Sequence, residues 1–304
     1  MNKPFTDFDE EIKLTSTQRQ DAKTKYENVC GTLCKKYYDS SYDESKKLLF
    51  GSYKLHTNIR PLTSDQDVDV LFKIPKEVYD RISANESNGQ SALLDEIRRT
   101  LKVKYSTTDK IKAWGKVVLV QFKDGSHNVE LLPAYEREDG TFEIPNTENG
   151  GSWESFDPRS RITAIDQSYK NTSGYTKKLI RAVKRWRNNT VSISLKSYRI
   201  EELVLAFVEA VAFTHLDLSE RMLEFFKFIQ YKVDESDRSN VDTAISRAEK
   251  AIDYEEQRRL RKASEEWRKI FGNEFSLLDD SKEESSTQND REIHNPHRPW
   301  IRLR

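Results

Sequence analysis

The chain has 304 residues, which is enough for one large bilobed unit or two fused domains with a substantial core. Its 51 basic and 51 acidic side chains cancel, which argues against a protein that coats long DNA or RNA, because such affinity comes mainly from neutralised phosphates. The first ten residues are polar and acidic, and no apolar run approaches the roughly 20 residues that span a bilayer. We therefore expect a soluble, cytoplasmic protein without a membrane partner.

The first half of the chain predicts short strands mixed with helices. The predicted elements are a helix from the Thr15–Gln18 capping box to about Tyr38, a strand over Asp67–Phe72, a helix over Ser91–Val103, and two strands over Val117–Phe122 and Val129–Leu132. Cys30 and Cys34 share a face of the first helix without a His or Cys cluster nearby in sequence, so we interpret them as small buried side chains in a reducing compartment. The Asn- and Gly-rich stretch from Asn146 to Ser152 predicts a lobe boundary or a mobile loop.

Beyond residue 150 the hydrophobic period becomes helical. The predicted helices are Arg159–Ser168, Tyr175–Asn188, Ser197–Phe213, Ser219–Tyr231, Val241–Ala251 and Tyr254–Phe271, with Gly272 capping the last one. The polar segment that begins at Leu278 predicts a flexible tail. The sequence thus predicts an α+β protein, with a mixed sheet and flanking helices in residues 1–150, a helical lobe in residues 151–277, and the tail in residues 278–304.

Three carboxylates stand in two apolar strands. Asp67 and Asp69 alternate with valines, so both project from the same side of the first strand, and Glu130 interrupts the second strand. If the strands are neighbours, the carboxylates converge and repel one another unless cations bind. Mg²⁺ suits carboxylate and phosphate oxygens, and two such ions clamp the attacking and leaving oxygens of an in-line phosphoryl displacement. An Asp-x-Asp on a solvated strand face has no such meaning, so the prediction depends on the order and spacing of the motifs together.

Those motifs resemble a known family. They are Phe50-Gly51-Ser52-Tyr53, Thr57-x-Ile59-Arg60-Pro61, Asp67-Val68-Asp69-Val70-Leu71 and Val129-Glu130-Leu131-Leu132-Pro133-Ala134. Their order is similar to that of polymerase β-like nucleotidyltransferases related to cyclic GMP-AMP synthase and oligoadenylate synthase, above all the bacterial CD-NTases of anti-phage CBASS systems. The resemblance implies a polymerase β-like core followed by a helical lobe of the kind found in those synthases. It also implies that Asp67, Asp69 and Glu130 are catalytic metal ligands, although relatives commonly carry Asp at the third position.

The resemblance extends to residues that hold the nucleotide. In the family, Gly51-Ser52 opens the loop that holds the incoming triphosphate, and Lys184, with Arg181 one turn earlier, matches a triphosphate-binding helix. Ser197-Tyr198 resembles a segment in which a polar residue contacts phosphate and an aromatic ring stacks on the base. The alternatives are an ordinary basic amphipathic helix, and a helix N-cap followed by a packed tyrosine.

The expected reaction uses two Mg²⁺ ions, or Mn²⁺ in their place. Asp67 and Asp69 hold the ion that grips the triphosphate, and Glu130 joins them at a second ion, which activates a ribose hydroxyl to attack the α-phosphate. The resemblance implies NTP substrates, with ATP expected and the second base open, and closure of a linear dinucleotide into a cyclic di- or trinucleotide. It further implies a downstream effector reached through the diffusible product, and CBASS ancillary proteins as partners. Obligatory DNA activation is not expected, since nothing matches the zinc-binding insertion of the vertebrate DNA sensor.

Other functions stay open at this point. A transferase on the same fold could make linear 2′-5′ oligonucleotides or place a nucleotide on a tRNA or protein. An inactive nucleotide sensor is disfavoured by the intact carboxylates, and an RNA-binding adaptor by the balanced charge. The sequence does not fix the bases, the linkage or the ring size.

Overall fold

The computed structural model describes residues 2–63, 67–106, 110–124, 126–211 and 216–279. Contacts group the described chain into two compact units. The sheet unit comprises Asp9–Lys184 and Ser197–Val211, and the helical unit comprises residues 2–8, 185–196 and 216–279. The predicted boundaries at residues 150 and 277 stay predictions about domain organisation. Most of the predicted tail, residues 280–304, lies outside the described residues.

Helices make up most of the described chain. The α-helices are α1 (Asn2–Ile12), α2 (Ser16–Tyr38), α3 (Gly51–Leu55), α4 (Lys76–Ser83), α5 (Gly89–Lys104), α6 (Pro158–Asn171), α7 (Tyr175–Asn189), α8 (Ser197–Ala210), α9 (Leu218–Ile229), α10 (Arg238–Glu256) and α11 (Leu260–Phe271). Within the described ranges, none of them is both long and apolar enough to cross a bilayer. The break between the last two helices lies at residues 257–259, five residues beyond its predicted place, and Phe213, the predicted end of α8, lies outside the described residues.

The strands form a mixed sheet in the sheet unit. They are β1 (Lys47–Leu49), β2 (Val68–Lys73), β3 (Ile111–Trp114), β4 (Val117–Val120), β5 (Val129–Glu136), β6 (Phe142–Asn146) and β7 (Ser152–Phe156). Their order is β1-β2-β5-β4-β3, with β6 paired to β5 and β7 paired to β6. The central pair, β2 and β5, is parallel, whereas the other pairs are antiparallel. The predicted α+β class with a mixed sheet is confirmed.

Because side chains alternate along each strand, one face of the sheet is apolar. The other face is acidic where β2 and β5 start and apolar further along these strands. Val68 and Val70 of β2, with Val129 of β5, point into the main core beneath α2 and α5. On the opposite face, Leu71 and Leu132 begin a smaller apolar cluster. The carboxylates stand on this second face, at the end where β2 and β5 start. Because each buried aliphatic side chain contributes about 1.5–3 kcal/mol, the valines fix the register that aims the acidic side chains outward.

Helix α2 begins as its sequence predicts. The Thr15 hydroxyl accepts a hydrogen bond from the Gln18 N–H at 3.2 Å, and the Gln18 side chain accepts one from the Thr15 N–H at 3.0 Å. This reciprocal capping box satisfies two N–H groups at the helix start. Cys30 and Cys34 are free and buried, as predicted, and burial raises the pKa of the Cys30 thiol.

Two features of the first half were not predicted from the sequence. The chain start, interpreted as polar, forms α1, because Phe5, Phe8 and Ile12 are buried at helical spacing among acidic neighbours. The stretch from Asn146 to Ser152, interpreted as a boundary or mobile loop, is the short connection of the β6–β7 hairpin, which includes one 3₁₀ turn. Acidic residues in the first case, and Asn and Gly in the second, obscured the regular pattern.

Candidate active site

The acidic residues lie at the starts of two neighbouring parallel strands. Asp67 directly precedes β2, Asp69 is the second residue of β2, and Glu130 is the second residue of β5. Asp69 and Glu130 are register partners in the β2–β5 pair. Since in-register residues of parallel strands project from the same face, the two carboxylates point the same way.

The surroundings of these carboxylates disfavour their ionised forms. The pKa of Asp69 is raised to about 8, first by burial and then by the negative charges of Glu130 and Asp67. The pKa of Glu130 is also raised, first by burial and then by Asp67. Two partly buried acids with raised pKa values mark a cluster of like charges that is costly to ionise.

This donor set fits a hard divalent cation supplied together with a phosphate ligand. Within the described ranges, no group of three His, Cys, Asp or Glu side chains is drawn together tightly enough to hold a metal ion. Mg²⁺ seldom occupies an all-protein cage and usually combines one or two carboxylates with water and substrate phosphates. A cluster of mutually repelling carboxylates without a closed cage therefore suits an ion that the substrate helps to bind.

The Gly51-Ser52 pair lies against the Asp69 carboxylate. The Phe50 N–H donates to the Asp69 carbonyl at 3.2 Å, which ties the start of α3 to β2. Gly51 has a φ of +61°, and a Cβ there would lie 2.8 Å from Asp69 Cγ, too close for any side chain. Only glycine allows the backbone to come this near, so the predicted phosphate loop adjoins the predicted metal ligand.

Lys184 acts on the same site through its charge. Its side chain is buried, and its ammonium donates to Thr57 Oγ1 at 3.2 Å and to Glu201 Oε1 at 3.4 Å. Its positive charge lowers the pKa of Asp69, against the larger effects that raise it. The ammonium therefore acts electrostatically on the acidic cluster.

Arg181, one turn earlier in α7, is bound into the protein itself. Its guanidinium donates to both carboxylate oxygens of Asp9, at 2.7 and 2.8 Å, and to the His56 carbonyl at 2.7 Å. Asp9 and Arg181 are both buried. This bidentate pair engages most of the donors that a triphosphate would need, so the nucleotide-binding role of Arg181 stays a prediction with a competing structural explanation.

The start of α8 presents the predicted base-stacking residue. Ser197 is the first residue of the helix, and the Tyr198 side chain is 55% exposed, so the alternative of a packed tyrosine is wrong. The Tyr198 carbonyl accepts a hydrogen bond from Arg161 Nη2 at 2.6 Å. The ring is thus exposed to solvent on a helical turn whose backbone is held by the hydrogen bond from Arg161.

Sequence reasoning missed two residues that contact the site. Asn128 Nδ2 donates to Asp67 Oδ1 at 3.0 Å, and the Asn128 carbonyl accepts from the Val68 N–H at 2.9 Å. Glu201 is buried and contacts Lys184. A polar residue just before an apolar strand and an acid in the second turn of an apolar helix were weak signals, because both patterns are common in sequences.

Comparisons with known proteins place this chain in a family. A family model described as "Second Messenger Oligonucleotide or Dinucleotide Synthetase domain" (SMODS) matches residues 1–169. A probable cyclic nucleotide synthase of Bacillus cereus (strain VD146) is 24% identical over 277 residues, which cover 76% of this chain and 82% of that protein.

Solved structures share the fold at low sequence identity. Vibrio cholerae DncV cyclic AMP-GMP synthase, in complex with the linear intermediate 5′ pppA(3′,5′)pG, matches with a TM-score of 0.68 and 14% identity over 88% of this chain and 95% of that chain. Escherichia coli MS115-1 CdnC, in complex with HORMA-deltaN, matches with a TM-score of 0.64 and 17% identity over 90% of this chain and 98% of that chain. These likenesses confirm the predicted nucleotidyltransferase fold. The chain belongs to the SMODS family and is a nucleotidyltransferase enzyme of the bacterial CD-NTase type.

Proposed function

We propose that this enzyme joins NTPs into a cyclic di- or trinucleotide second messenger that acts in anti-phage CBASS defence. The observation that carries the proposal is the in-register pairing of Asp69 with Glu130, beside a Gly51 backbone that only glycine can supply. This arrangement supports a phosphoryl-transfer site in which the acidic cluster adjoins a backbone segment suited to phosphates. The family model describes synthetases of such messengers.

Asp67, Asp69 and Glu130 are the residues proposed to hold two divalent cations, Mg²⁺ or in its place Mn²⁺. Such ions would neutralise charge on the triphosphate and favour ionisation of the attacking ribose hydroxyl. Carboxylates that repel one another before a cation arrives gain most from its binding, which couples the site to its metal.

The remaining groups position the nucleotide. N–H groups in the first turn of a helix have no partner within that helix, so Gly51 and Ser52 at the start of α3 are suited to donate to phosphate oxygens. The Lys184 ammonium supplies a positive charge beside them, and the exposed Tyr198 ring supplies a stacking surface worth ~1–3 kcal/mol per base. Closely held reactants account for much of such catalysis, because orientation lowers the entropic cost of the reaction.

The relatives support the steps beyond the first bond. The DncV structure contains a linear intermediate, and the CdnC structures contain ATP in one case and HORMA-deltaN in another. For this chain we propose ATP as one substrate, a linear dinucleotide that re-enters the site and closes, and an ancillary CBASS protein as partner. The cyclic product would reach a separate effector by diffusion in the cytoplasm.

Product analysis tests this proposal. The enzyme is incubated with Mg²⁺ and the four NTPs, singly and in pairs, and the products are treated with phosphatase and identified by mass spectrometry. A cyclic product has no phosphatase-sensitive end, whereas a linear product would contradict cyclisation, and nucleotide found only on an added tRNA or protein would replace the proposal with a modifying transferase.

The Asp69→Asn substitution tests whether the reaction takes place at this site. We expect a loss of about 10³-fold in product formation, equivalent to about 4 kcal/mol of transition-state stabilisation. Asp80→Asn is the matched control, since Asp80 is an exposed carboxylate paired with Lys76 on α4. Unchanged synthesis by Asp69→Asn would remove the acidic cluster from the mechanism.

A further inference from the structure

The connection from β4 to β5 is attached to helix α2 by charged groups. Asp21 and Lys25 stand one turn apart on the same face of α2 and pair with each other at 3.1 Å. Lys25 Nζ lies 2.6 Å from Asp124 Oδ2, and Asp21 Oδ2 accepts a hydrogen bond from Ser126 Oγ at 2.9 Å. Helix α2 thus holds the connection at two points shortly before β5 begins.

His127 adds a fully buried contact to this attachment. Its side chain is 0% exposed, and its Nδ1 lies 2.7 Å from Asp21 Oδ2. Because an ionised carboxylate only accepts hydrogen bonds, Nδ1 carries the hydrogen of this contact. The Nε2 atom is also buried, and it has no hydrogen-bond partner in the described part of the chain. The hydrogen bond to Asp21 therefore fixes the orientation of the imidazole ring.

The same ring packs against the helix that begins with Gly51-Ser52. The centroids of the His127 and Tyr53 rings are 5.3 Å apart, at an interplanar angle of 83°. Tyr53 is buried and is the third residue of α3. Aromatic rings favour this perpendicular arrangement because the positive edge of one meets the negative face of the other. His127 is therefore held between α2 and α3, which limits the movement of its backbone.

The residue that follows His127 reaches the acidic cluster. Asn128 Nδ2 donates to Asp67 Oδ1 at 3.0 Å, and the Asn128 carbonyl accepts from the Val68 N–H at 2.9 Å. Connections between strands are generally more mobile than the strands they join. A buried anchor directly before Asn128 restricts the positions from which its amide can donate to Asp67.

We propose that His127, held by Asp21, is a positioning residue for the proposed metal ligand Asp67. It acts by fixing the adjacent Asn128, which donates to the Asp67 carboxylate. The inference rests on the proposed function of this site as a site for divalent cations. Metal ligands are commonly oriented by further hydrogen bonds, and losing such a partner costs about 10–100-fold in metal affinity or activity. Here the supporting contacts extend from the strand start to the long helix α2.

Cation binding without turnover tests the proposal apart from catalysis. Mn²⁺ binding to the folded enzyme is measured by electron paramagnetic resonance in the presence of α,β-methylene ATP, which cannot release pyrophosphate. We expect His127→Leu to weaken Mn²⁺ binding about tenfold, equivalent to about 1.4 kcal/mol. A pair that only stabilises the core predicts a lower melting temperature with unchanged Mn²⁺ affinity of the folded protein, and that result would overturn the proposal.

His127→Asn is the conservative variant. Its amide nitrogen is separated from Cα by the same number of bonds as Nδ1, so it can still donate to Asp21. We expect its Mn²⁺ affinity to stay within about threefold of the wild type. Equal weakening in His127→Asn and His127→Leu would contradict a role for the Asp21 hydrogen bond.

A double variant shows whether His127 acts through Asn128. Once Asn128→Ala has removed the contact with Asp67, His127→Leu should have no further effect on Mn²⁺ affinity. The double variant should therefore bind Mn²⁺ as Asn128→Ala alone does, because the two residues act in series. If the two losses multiply instead, the residues act independently and the proposal is wrong.

Circular dichroism and thermal melting show whether each variant is folded. If His127→Leu does not fold, Asp21→Asn takes its place, because the Asp21 side chain is 38% exposed and less costly to replace. Its weaker acceptor should loosen His127 and weaken Mn²⁺ binding about threefold. Glu27→Gln is the matched control, since Glu27 pairs with Lys23 on the same helix, and it should leave Mn²⁺ binding unchanged. Unchanged binding by Asp21→Asn as well would overturn the proposal.

Failure of the proposed function is separate and visible in the wild-type enzyme. That enzyme would bind Mn²⁺ with the analogue, and the variants would differ as expected, yet no cyclic product would form from NTPs. A wild type that binds no Mn²⁺ under these conditions would overturn the positioning role itself.

Discussion

Charged groups are arranged in opposite ways at the start of β2, the strand edge that carries Asp69, and in the turn of α7 that carries Arg181. At the strand edge, like charges are gathered, and the pKa of Asp69 rises to about 8 through burial, Glu130 and Asp67. At the helix turn, Arg181 and Asp9 form a bidentate pair. The first arrangement reduces the stability of the folded chain at neutral pH, whereas the second joins α7 to α1 within the sheet unit. A charge that is repelled by its neighbours in the folded chain is available to bind a ligand. A charge that is already paired within the protein is not.

Lys184 stands between these two cases. It lies in the same helix as Arg181, yet its contact with Glu201 is 3.4 Å long, whereas the Arg181–Asp9 contacts are 2.7 and 2.8 Å. A longer, monodentate ion pair is easier to exchange for phosphate oxygens than a bidentate one. We therefore expect these two basic residues of one helix to differ in function because their partners differ.

Breaking the Arg181–Asp9 pair should have the largest effect. Arg181→Met leaves the buried Asp9 carboxylate without its cation, so we expect a loss of about 3–5 kcal/mol in the free energy of unfolding, measured by urea denaturation. ATP affinity, measured at low temperature on folded protein, should change little. The opposite outcome, preserved stability with weakened ATP binding, would restore Arg181 to the triphosphate site that the family resemblance implies.

Asn128 allows a smaller test at the acidic edge. Asn128→Ala removes the hydrogen bond to Asp67, and the loss of such a supporting contact costs about 10–100-fold in metal affinity or activity. We expect the Mg²⁺ concentration for half-maximal synthesis to rise, with much of the activity recovered at saturating Mg²⁺. Asn85→Ala is the matched control, since Asn85 is exposed and bonds to Asn88. Equal Mg²⁺ dependence in both variants would show that Asn128 does not orient the ligand.

The pH dependence of stability gives the smallest effect. With a pKa of about 8, folded Asp69 keeps at neutral pH a proton that the unfolded chain has released, so stability falls as pH rises. In EDTA we expect the wild type to lose about 1 kcal/mol between pH 7 and pH 8, within the limit of about 1.4 kcal/mol per pH unit for one proton. Asp69→Asn should lack this slope. A wild type whose stability is level over this interval would contradict the charge conflict at the strand edge.

The strands and the acidic residues could be predicted from local pattern alone. Val68 and Val70 alternate with Asp67 and Asp69, so a single face had to carry both acids. Glu130 stood out because an apolar strand rarely contains an unexplained carboxylate. The start of helix α2 was equally predictable, since the sequence contains a capping box there. In contrast, α1 was missed because acidic residues surround its apolar stripe.

By itself, the sequence determined which residue types stand at fixed spacing: the Gly51-Ser52 pair, the acids of two strands, and the basic turn of α7. Only the tertiary structure decided which of those charges are already paired, because Asp9 reaches Arg181 across 172 positions of sequence and Glu201 reaches Lys184 from another helix. Spacing sets the direction of a side chain relative to its own element. Its partners are set by the packing of separate elements, which depends on the whole core rather than on any local pattern.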